Sequence, residues 1–437
     1  MISVILVAAI ALAVVLGYKT GINTGFFCIA FAFLIGCFGL GITTKSLISF
    51  WPTSTMFVIL SVSLFYNFAA VNGTLEKMSS ALLYACRSFP GLLPFALFFV
   101  AVVLSVMGAA YFTVLAFLAP ITLVICDEAK MDKLTGAVAI NCGALAGGNF
   151  PTAALGVVFR GLMDTAYEAD PSLTPVDSFS SELKIFGFAI VFSIIVIAIF
   201  RYGFKENRNI GKGITFKKPE PFTEKQKTTL TLMLVMMAVV LVFPLLNMIL
   251  PGNSLISAVS SKVDVGLVAI CFTVIALLLD LAPQKEVIAK VPWNTIIMIA
   301  GAGMLIAVAV EAGTIEALSS WIGSNVPVAL VPVAFSLVAA FMSFFSSTTG
   351  VVTPALFPLI PALAASTGLD AAVLFACTVL GAQSSAISPF SSGGSLILGS
   401  CGKEEDRNRL FNRLLFVAVP ISVACSAVYN VIVAMIL

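Results

Sequence analysis

Histidine is absent from the 437 residues, and charged side chains make up only 10% of them. Without histidine there is no imidazole metal centre, no haem ligation through that residue and no histidine proton relay. A water-soluble domain carries about 25% charged residues. This chain is 60% hydrophobic with a mean hydropathy of +1.11, too apolar to coat a soluble particle. That excludes a soluble enzyme, a secreted module, a nucleic-acid binder and a disordered protein. The nine cysteines show no metal-ligand or redox spacing. Most, such as Cys28, Cys37, Cys142, Cys271, Cys377 and Cys425, sit inside apolar runs as small packing residues. No metal-hydrolase, nucleophile-elbow, Walker or dinucleotide-binding motif is credibly placed, so no enzyme chemistry and no cofactor are expected. Ionisable residues at mid-span are nearly missing: Asp264, Asp280, Glu311 and Asp370 fall at span ends.

What is present is a series of apolar runs, and about 20 residues suffice to span the hydrocarbon core. The runs are 2–17, 23–42, 51–71, 91–126, 135–163, 183–203, 227–249, 264–282, 293–310, 326–364, 371–400 and 411–436. Met1–Leu16 has no basic start and reads as a spanning helix, not a cleaved signal. Runs 91–126 and 326–364 are too long for one helix and too short for two spans with a wet loop. Their small or polar centres, Gly108 to Tyr111 and Ser346 to Gly350, predict re-entrant hairpins, whose non-helical tips must sit inside protein or beside a water-filled cavity. The other ten runs are crossings, five before and five after the basic stretch 204–226. Placing that stretch in the cytoplasm puts 19 of the 23 Lys and Arg residues on the cytoplasmic side, as the positive-inside rule requires. Both termini then lie outside. So does the acidic segment 164–182, with Asp164, Glu168, Asp170, Asp177 and Glu182. Arg160 lies near the outer end of its span and is expected to snorkel to the interface.

The halves repeat. Gly73 to Ser80 matches Gly313 to Ser320, and Pro52 matches Pro292, at an offset of 240. At an offset of 238, Ser105 matches Ser343, Pro120 matches Pro358, Gly143 matches Gly381, Pro151 matches Pro389 and Gly156 matches Gly394. Ordered matches at a nearly constant offset indicate duplication. Five crossings per copy place the second copy upside down, a pattern typical of secondary transporters. The segments starting at Gly73 and Gly313 read as amphipathic interfacial arms.

Two spans carry glycines followed by a proline: Gly143, Gly147, Gly148, Asn149 and Pro151 in one, Gly381, Ser388 and Pro389 in the other. Proline removes a backbone donor and clashes with the preceding turn, so each helix should unwind and restart at mid-membrane. A restarted helix offers free N–H groups and a partial positive charge to an anion. The freed carbonyls suit a small hard cation. The second tip adds the hydroxyls of Ser346, Ser347, Thr348 and Thr349, and the first adds Tyr111. The substrate-binding candidates are thus Ala110, Tyr111, Asn149, Pro151, Thr152, Ser347, Thr348, Thr349, Pro389, Ser391 and Ser392. Helix ends alone leave a dianion incompletely neutralised, which calls for a co-bound cation. Gly108, Ala109, Gly148, Asn149, Ser346, Ser347, Ala386 and Ser388 are the candidate sodium ligands. Protons are the weaker expectation, since no mid-span carboxylate is visible to carry one.

The tips, the broken helices and the inverted halves resemble the ion transporter superfamily, which includes the divalent anion/sodium symporters. The stretches Gly91–Pro120, Val291–Thr314, Phe345–Pro361 and Ser388–Gly394 resemble the bacterial malonate/dicarboxylate carriers of MatC type. The resemblance implies an all-α elevator transporter, usually a homodimer in the bacterial cytoplasmic membrane. Residues 1–72 and 227–311 would be scaffold, 73–90 and 312–325 arms, and 91–203 and 326–437 the moving transport domain, joined by the cytoplasmic loop 204–226. The symporters carry Ser-Asn-Thr at each tip. Here the second tip reads Ser347-Thr348-Thr349 and the first Ala109-Ala110-Tyr111. The expected activity is cation-coupled movement of a small dicarboxylate such as malonate or succinate. Another anion (citrate, a sugar acid or an inorganic oxyanion) and a cation/proton antiport remain open. The expected partners are the substrate, the bilayer and a second copy, with no nucleic acid.

Overall fold

The computed structural model describes residues 2–436 apart from 86–89, 169–172, 211–218, 250–255, 257, 260–261, 315–316, 318–320, 322–323, 346–347 and 402. The described residues are helical and contain no strand. In chain order the first half holds α1 (Ile2–Thr20), α2 (Thr24–Phe33), α3 (Thr44–Ser49), α4 (Thr53–Val71) and α5 (Thr74–Ala85). It continues with α6 (Leu93–Val106), α7 (Tyr111–Ala129), α8 (Lys133–Gly148), α9 (Ala154–Glu168) and α10 (Ser178–Gly203). The second half holds α11 (Glu224–Ile249), α12 (Val265–Leu278), α13 (Gln284–Ala289), α14 (Trp293–Glu311), α15 (Val331–Phe345), α16 (Thr353–Leu356) and α17 (Ile360–Thr367). It ends with α18 (Ala371–Ser385), α19 (Ser392–Gly399), α20 (Glu404–Arg413) and α21 (Val419–Ile436). Among the described residues, five stretches are long and apolar enough by length and composition to cross a bilayer, together with shorter apolar helices. Large apolar side chains face outward, among them Val4, Phe38, Leu278, Phe416 and Met435. In water such a surface would be a liability; against lipid it is the matching one.

Both long runs resolve into paired helices. α6 and α7 meet at a four-residue turn, 107–110, where Gly108 takes φ +92°. α15 is followed by a π turn, Thr348–Val352, then by α16 and α17. Both Pro-bearing spans break as expected. α8 stops at Gly148 and α9 starts at Ala154, while α18 stops at Ser385 and α19 starts at Ser392. α8 is buried along nearly all of its length and α18 along all of it, so these two helices form the centre of the molecule. α6 packs along α8 and α15 along α18.

The packing repeats at the offset seen in the sequence. A Cβ on Gly143 would meet the Phe98 carbonyl, and one on Gly381 would meet the Ser336 carbonyl. Both contact residues lie 238 positions apart. A Cβ on Gly156 would meet the carbonyl of Phe150, and one on Gly394 that of Ser388. Close backbone approach, not flexibility, is what these glycines provide. At the periphery α2 packs along α14 and α4 along α12.

Ion pairs join segments that the basic-residue pattern puts on the same side. Lys77 pairs with Glu220, Lys133 with Asp127 and Asp406, Lys225 with Asp280, and Arg413 with Asp132, all expected cytoplasmic. Lys184 pairs with Asp370 at the opposite end.

Two expectations are corrected. α10 begins at Ser178, capped by the Asp177 carboxylate on the Ser180 N–H at 3.1 Å. Glu182 is therefore a helical residue with no exposure at all, not part of an outer loop. Arg160 does not snorkel. Its Nη1 donates to the Pro151 carbonyl at 3.2 Å, and its guanidinium lies over the Phe179 ring at 5.2 Å.

Candidate functional site

A cavity of about 290 Å³ lies where both hairpins, the second break, the start of α9 and α4 meet. Its volume is at the low end for small-molecule sites. The first tip contributes Gly108, Ala109, Ala110, Tyr111, Phe112 and Thr113. The second contributes Ser343, Thr348 and Thr349, and the second break contributes Ala386, Ser391 and Gly393. Ala154 and Leu155 enter from the restart of α9. The facing wall is Ile59, Val62, Ser63, Tyr66 and Asn67 of α4, with Lys290 and Pro292 ahead of α14.

Three helix starts therefore reach this one cavity: α7, α9 and α19. The first turn of α7 has no side-chain cap, so its N–H groups are unspent. Each helix start carries roughly half an elementary positive charge. Lys290 is a solvent-exposed cation on the cavity wall, and no Asp or Glu lines it among the described residues. Tyr66 is 4% exposed, lines the cavity and keeps a buried hydroxyl with no partner. The electrostatics and the spare donors both favour an anion.

Other polar groups at the site hold the architecture. Tyr111 donates to Asn141 Oδ1 at 2.6 Å, tying the first tip to α8. Thr348 and Ser343 share a hydroxyl hydrogen bond of 3.0 Å. Asn149 and Gln383 exchange amide hydrogen bonds of 3.1 and 2.7 Å, which join the two broken helices across the centre. Ser391 caps α19 by accepting from the Gly394 N–H at 3.3 Å, and its hydroxyl donates to the carbonyls of Ala386 and, at 2.8 Å, Ser388. Ser395 donates to the Pro389 carbonyl at 3.0 Å.

Of the residues singled out in the sequence, the cavity gathers Gly108, Ala109, Ala110, Tyr111, Thr348, Thr349, Ala386 and Ser391. Gly148, Asn149, Pro151, Thr152, Ser388 and Pro389 are outside its lining. Asn149, Thr152 and Ser388 are fully buried, and the Thr152 hydroxyl has no partner. The carbonyls of Ala386 and Ser388, expected to be free for a cation, already accept from Ser391. Ser346 and Ser347 lie outside the described residues, and Ser392 opens α19. Sequence reasoning missed Tyr66, Asn67, Ser343 and Lys290. The match of Ser343 to Ser105 at the repeat offset was a signal for one of them. For Lys290 the only signal was its place two residues before Pro292.

Residues 1–148 match the family described as dicarboxylate carrier protein MatC N-terminus. The chain is similar in structure to the Alcanivorax borkumensis YdaH transporter, whose crystal structure is described as revealing an unusual topology. The TM-score is 0.63 at 16% identity, over 89% of this chain and 87% of that one. It is also similar to Neisseria gonorrhoeae MtrF, described as illuminating a class of antimetabolite efflux pumps. There the TM-score is 0.60 at 12% identity, over 90% of this chain and 83% of that one. At such identities the likeness speaks for the fold. No curated protein matches the chain in sequence. The family match over the first third and the transporter-like fold make this a membrane transporter.

Proposed function

We propose that the chain is a secondary carrier that moves a small dicarboxylate across the bacterial cytoplasmic membrane. The observation that carries this is the acid-free cavity at which three helix starts converge beside Lys290. Two carboxylates of a short diacid match two or more such ends, and the volume suits a molecule of that size. The dicarboxylate carrier family matched over residues 1–148 supports the same substrate class.

Alternating access follows an elevator scheme in this proposal. α4 and the segment around Lys290 belong to the scaffold, residues 1–72 and 227–311. The tips and breaks belong to a transport domain, 91–203 and 326–437, that slides with its cargo. The two halves are inverted repeats, a reading supported by the equivalent glycine contacts at the 238-residue offset. The carrier works as a homodimer with both termini outside. Lys290 sits on a segment expected to be cytoplasmic, so the cavity is accessible from within. Sodium is the proposed co-ion, because the helix ends alone leave a dianion short of neutral and Lys290, which belongs to the scaffold in this scheme, does not travel with the cargo.

Uptake of labelled C3–C6 diacids, citrate and sulfate into proteoliposomes, with and without a sodium gradient, tests the reading. Saturable, sodium-stimulated uptake of malonate or succinate is the expected result. Preference for citrate or sulfate would transfer the site to another anion, and transport without sodium would remove that co-ion.

A further inference from the structure

Glu182 is the group that the dicarboxylate reading leaves unused. It is fully buried in the first turns of α10, and neither carboxylate oxygen has a hydrogen-bond partner. Arg160 comes from α9 to the same stretch of α10, its guanidinium 5.2 Å from the centroid of the ring of Phe179, one turn before Glu182. Arg160 spends one N–H on the Pro151 carbonyl, and its Nε is buried with no partner. A carboxyl group and a guanidinium thus sit on neighbouring stretches of α10 and α9 with unspent acceptors and an unspent donor, and no hydrogen bond or ion pair joins them. An ionised carboxylate without a donor is costly in such a place. It must either hold a proton or draw the guanidinium to itself.

We propose that Glu182 is a proton-binding residue whose occupancy decides where Arg160 points. With the proton on, the carboxyl is neutral and Arg160 stays on the Pro151 carbonyl, the arrangement seen here. With the proton off, the guanidinium turns to the carboxylate and Pro151 loses its donor. Pro151 lies in the break before α9, and the start of α9, Ala154 and Leu155, lines the cavity. Proton occupancy is in this way tied to the geometry of one anion-binding helix end. A metal cation is the poorer occupant, because the adjacent guanidinium repels it while a proton needs no further ligands.

The surrounding charges are few. α9 contributes Arg160 and Asp164, which also acts on Arg160. α10 contributes Lys184, and Asp177 caps its start. Asp264, at the head of α12, acts on Arg160. Asp370, at the head of α18, is engaged with Lys184 at 3.5 Å. α21 carries no charged residue, and the only one on α8, Lys133, is at its far end.

The transport consequence rests on the carrier reading; the proton site does not. Infrared difference spectra of the purified full-length protein between about pH 5 and 9, a range that covers buried carboxyl groups, should show a protonated-carboxyl band that vanishes in Glu182→Gln. In proteoliposomes fumarate is fully ionised above about pH 6, so its own titration is excluded. Wild-type uptake of fumarate should change several-fold across about pH 6–9, while Glu182→Gln varies by less than about twofold. Arg160→Lys should shift the wild-type profile, with monodispersity on gel filtration as the folding control. Absence of the band overturns the proton site. A band with an unchanged pH profile in Glu182→Gln overturns its link to transport. If no diacid moves at all, the cavity reading fails and the band alone decides for Glu182.

Discussion

Lys290 and Tyr66 are side chains on the cavity wall whose charge or donor is available to an anion. Removing Lys290 weakens attraction without disturbing packing, since the side chain is exposed. Lys290→Ala should raise the KM for diacid by about 3- to 10-fold, with a smaller effect at high salt as screening shortens the reach of the charge. Initial rates at two ionic strengths check this. Tyr66→Phe removes a buried hydroxyl that has no partner. If it serves the substrate, affinity falls by about tenfold or more, because hydrogen bonds to charged groups contribute about 1.5–3 kcal/mol. Thermal stability without substrate should then hold or rise. Lost stability with unchanged affinity would make Tyr66 a packing residue. Neither position was legible in the sequence. A tyrosine inside α4 looks like any apolar-face aromatic, and one lysine among 23 basic residues becomes meaningful only when folding sets it beside three helix starts. Glu182 was expected in the outer loop for a different reason. The α10 start lies five residues earlier than its apolar run, because the Asp177 cap recruits polar Ser178, Ser180 and Ser181 into the helix.

The breaks, by contrast, were legible as elements. Proline and glycine act through local backbone chemistry, so their effect does not wait on tertiary context. Both spans unwind and restart within three residues of the expected places, and residues at or near both restarts line the same cavity. What composition could not give was the fate of the freed carbonyls. Serines at 391 and 395 take those of the second break, while at the first break Arg160 takes that of Pro151. The two breaks are alike in backbone and unlike in chemistry. Gly156→Ala and Gly394→Ala each push a methyl into the carbonyl of the preceding break. Each should cost about 1–3 kcal/mol as overpacking, seen as a lower melting temperature in detergent. Asn149→Ala leaves the Gln383 amide buried without its partner, a loss of about 1–3 kcal/mol. Asn149→Asp and Gln383→Glu should fare worse than either amide truncation, since each would bury a carboxylate.

At the scale of the whole molecule, the ion pairs join segments that the sorting of basic residues expects on one side, and ion pairs do not reach across a membrane. Lys77 with Glu220 and Lys225 with Asp280 tie the arm, the inter-repeat loop and the segment before α13 to one end. Lys184 with Asp370 marks the other. The scaffold–transport division, the second copy and the direction of travel left no comparable trace, because they depend on relative motion and on surfaces that lipid or protein would cover equally well. The orientation carries a decisive test. In a cysteine-free background, Glu220→Cys and Lys184→Cys are both surface positions away from the cavity. An impermeant maleimide added to intact cells should leave Glu220→Cys unmodified until the membrane is opened, and should modify Lys184→Cys at once. The reversed pattern would turn the molecule over and put Lys290 at the outer mouth. The cavity would then be a capture site from outside, and the basic residues would run against the positive-inside rule. Modification of both from one side would break the odd number of crossings per half. The halves would then be related by translation, and the equivalent glycine contacts around α8 and α18 would need an explanation other than inversion.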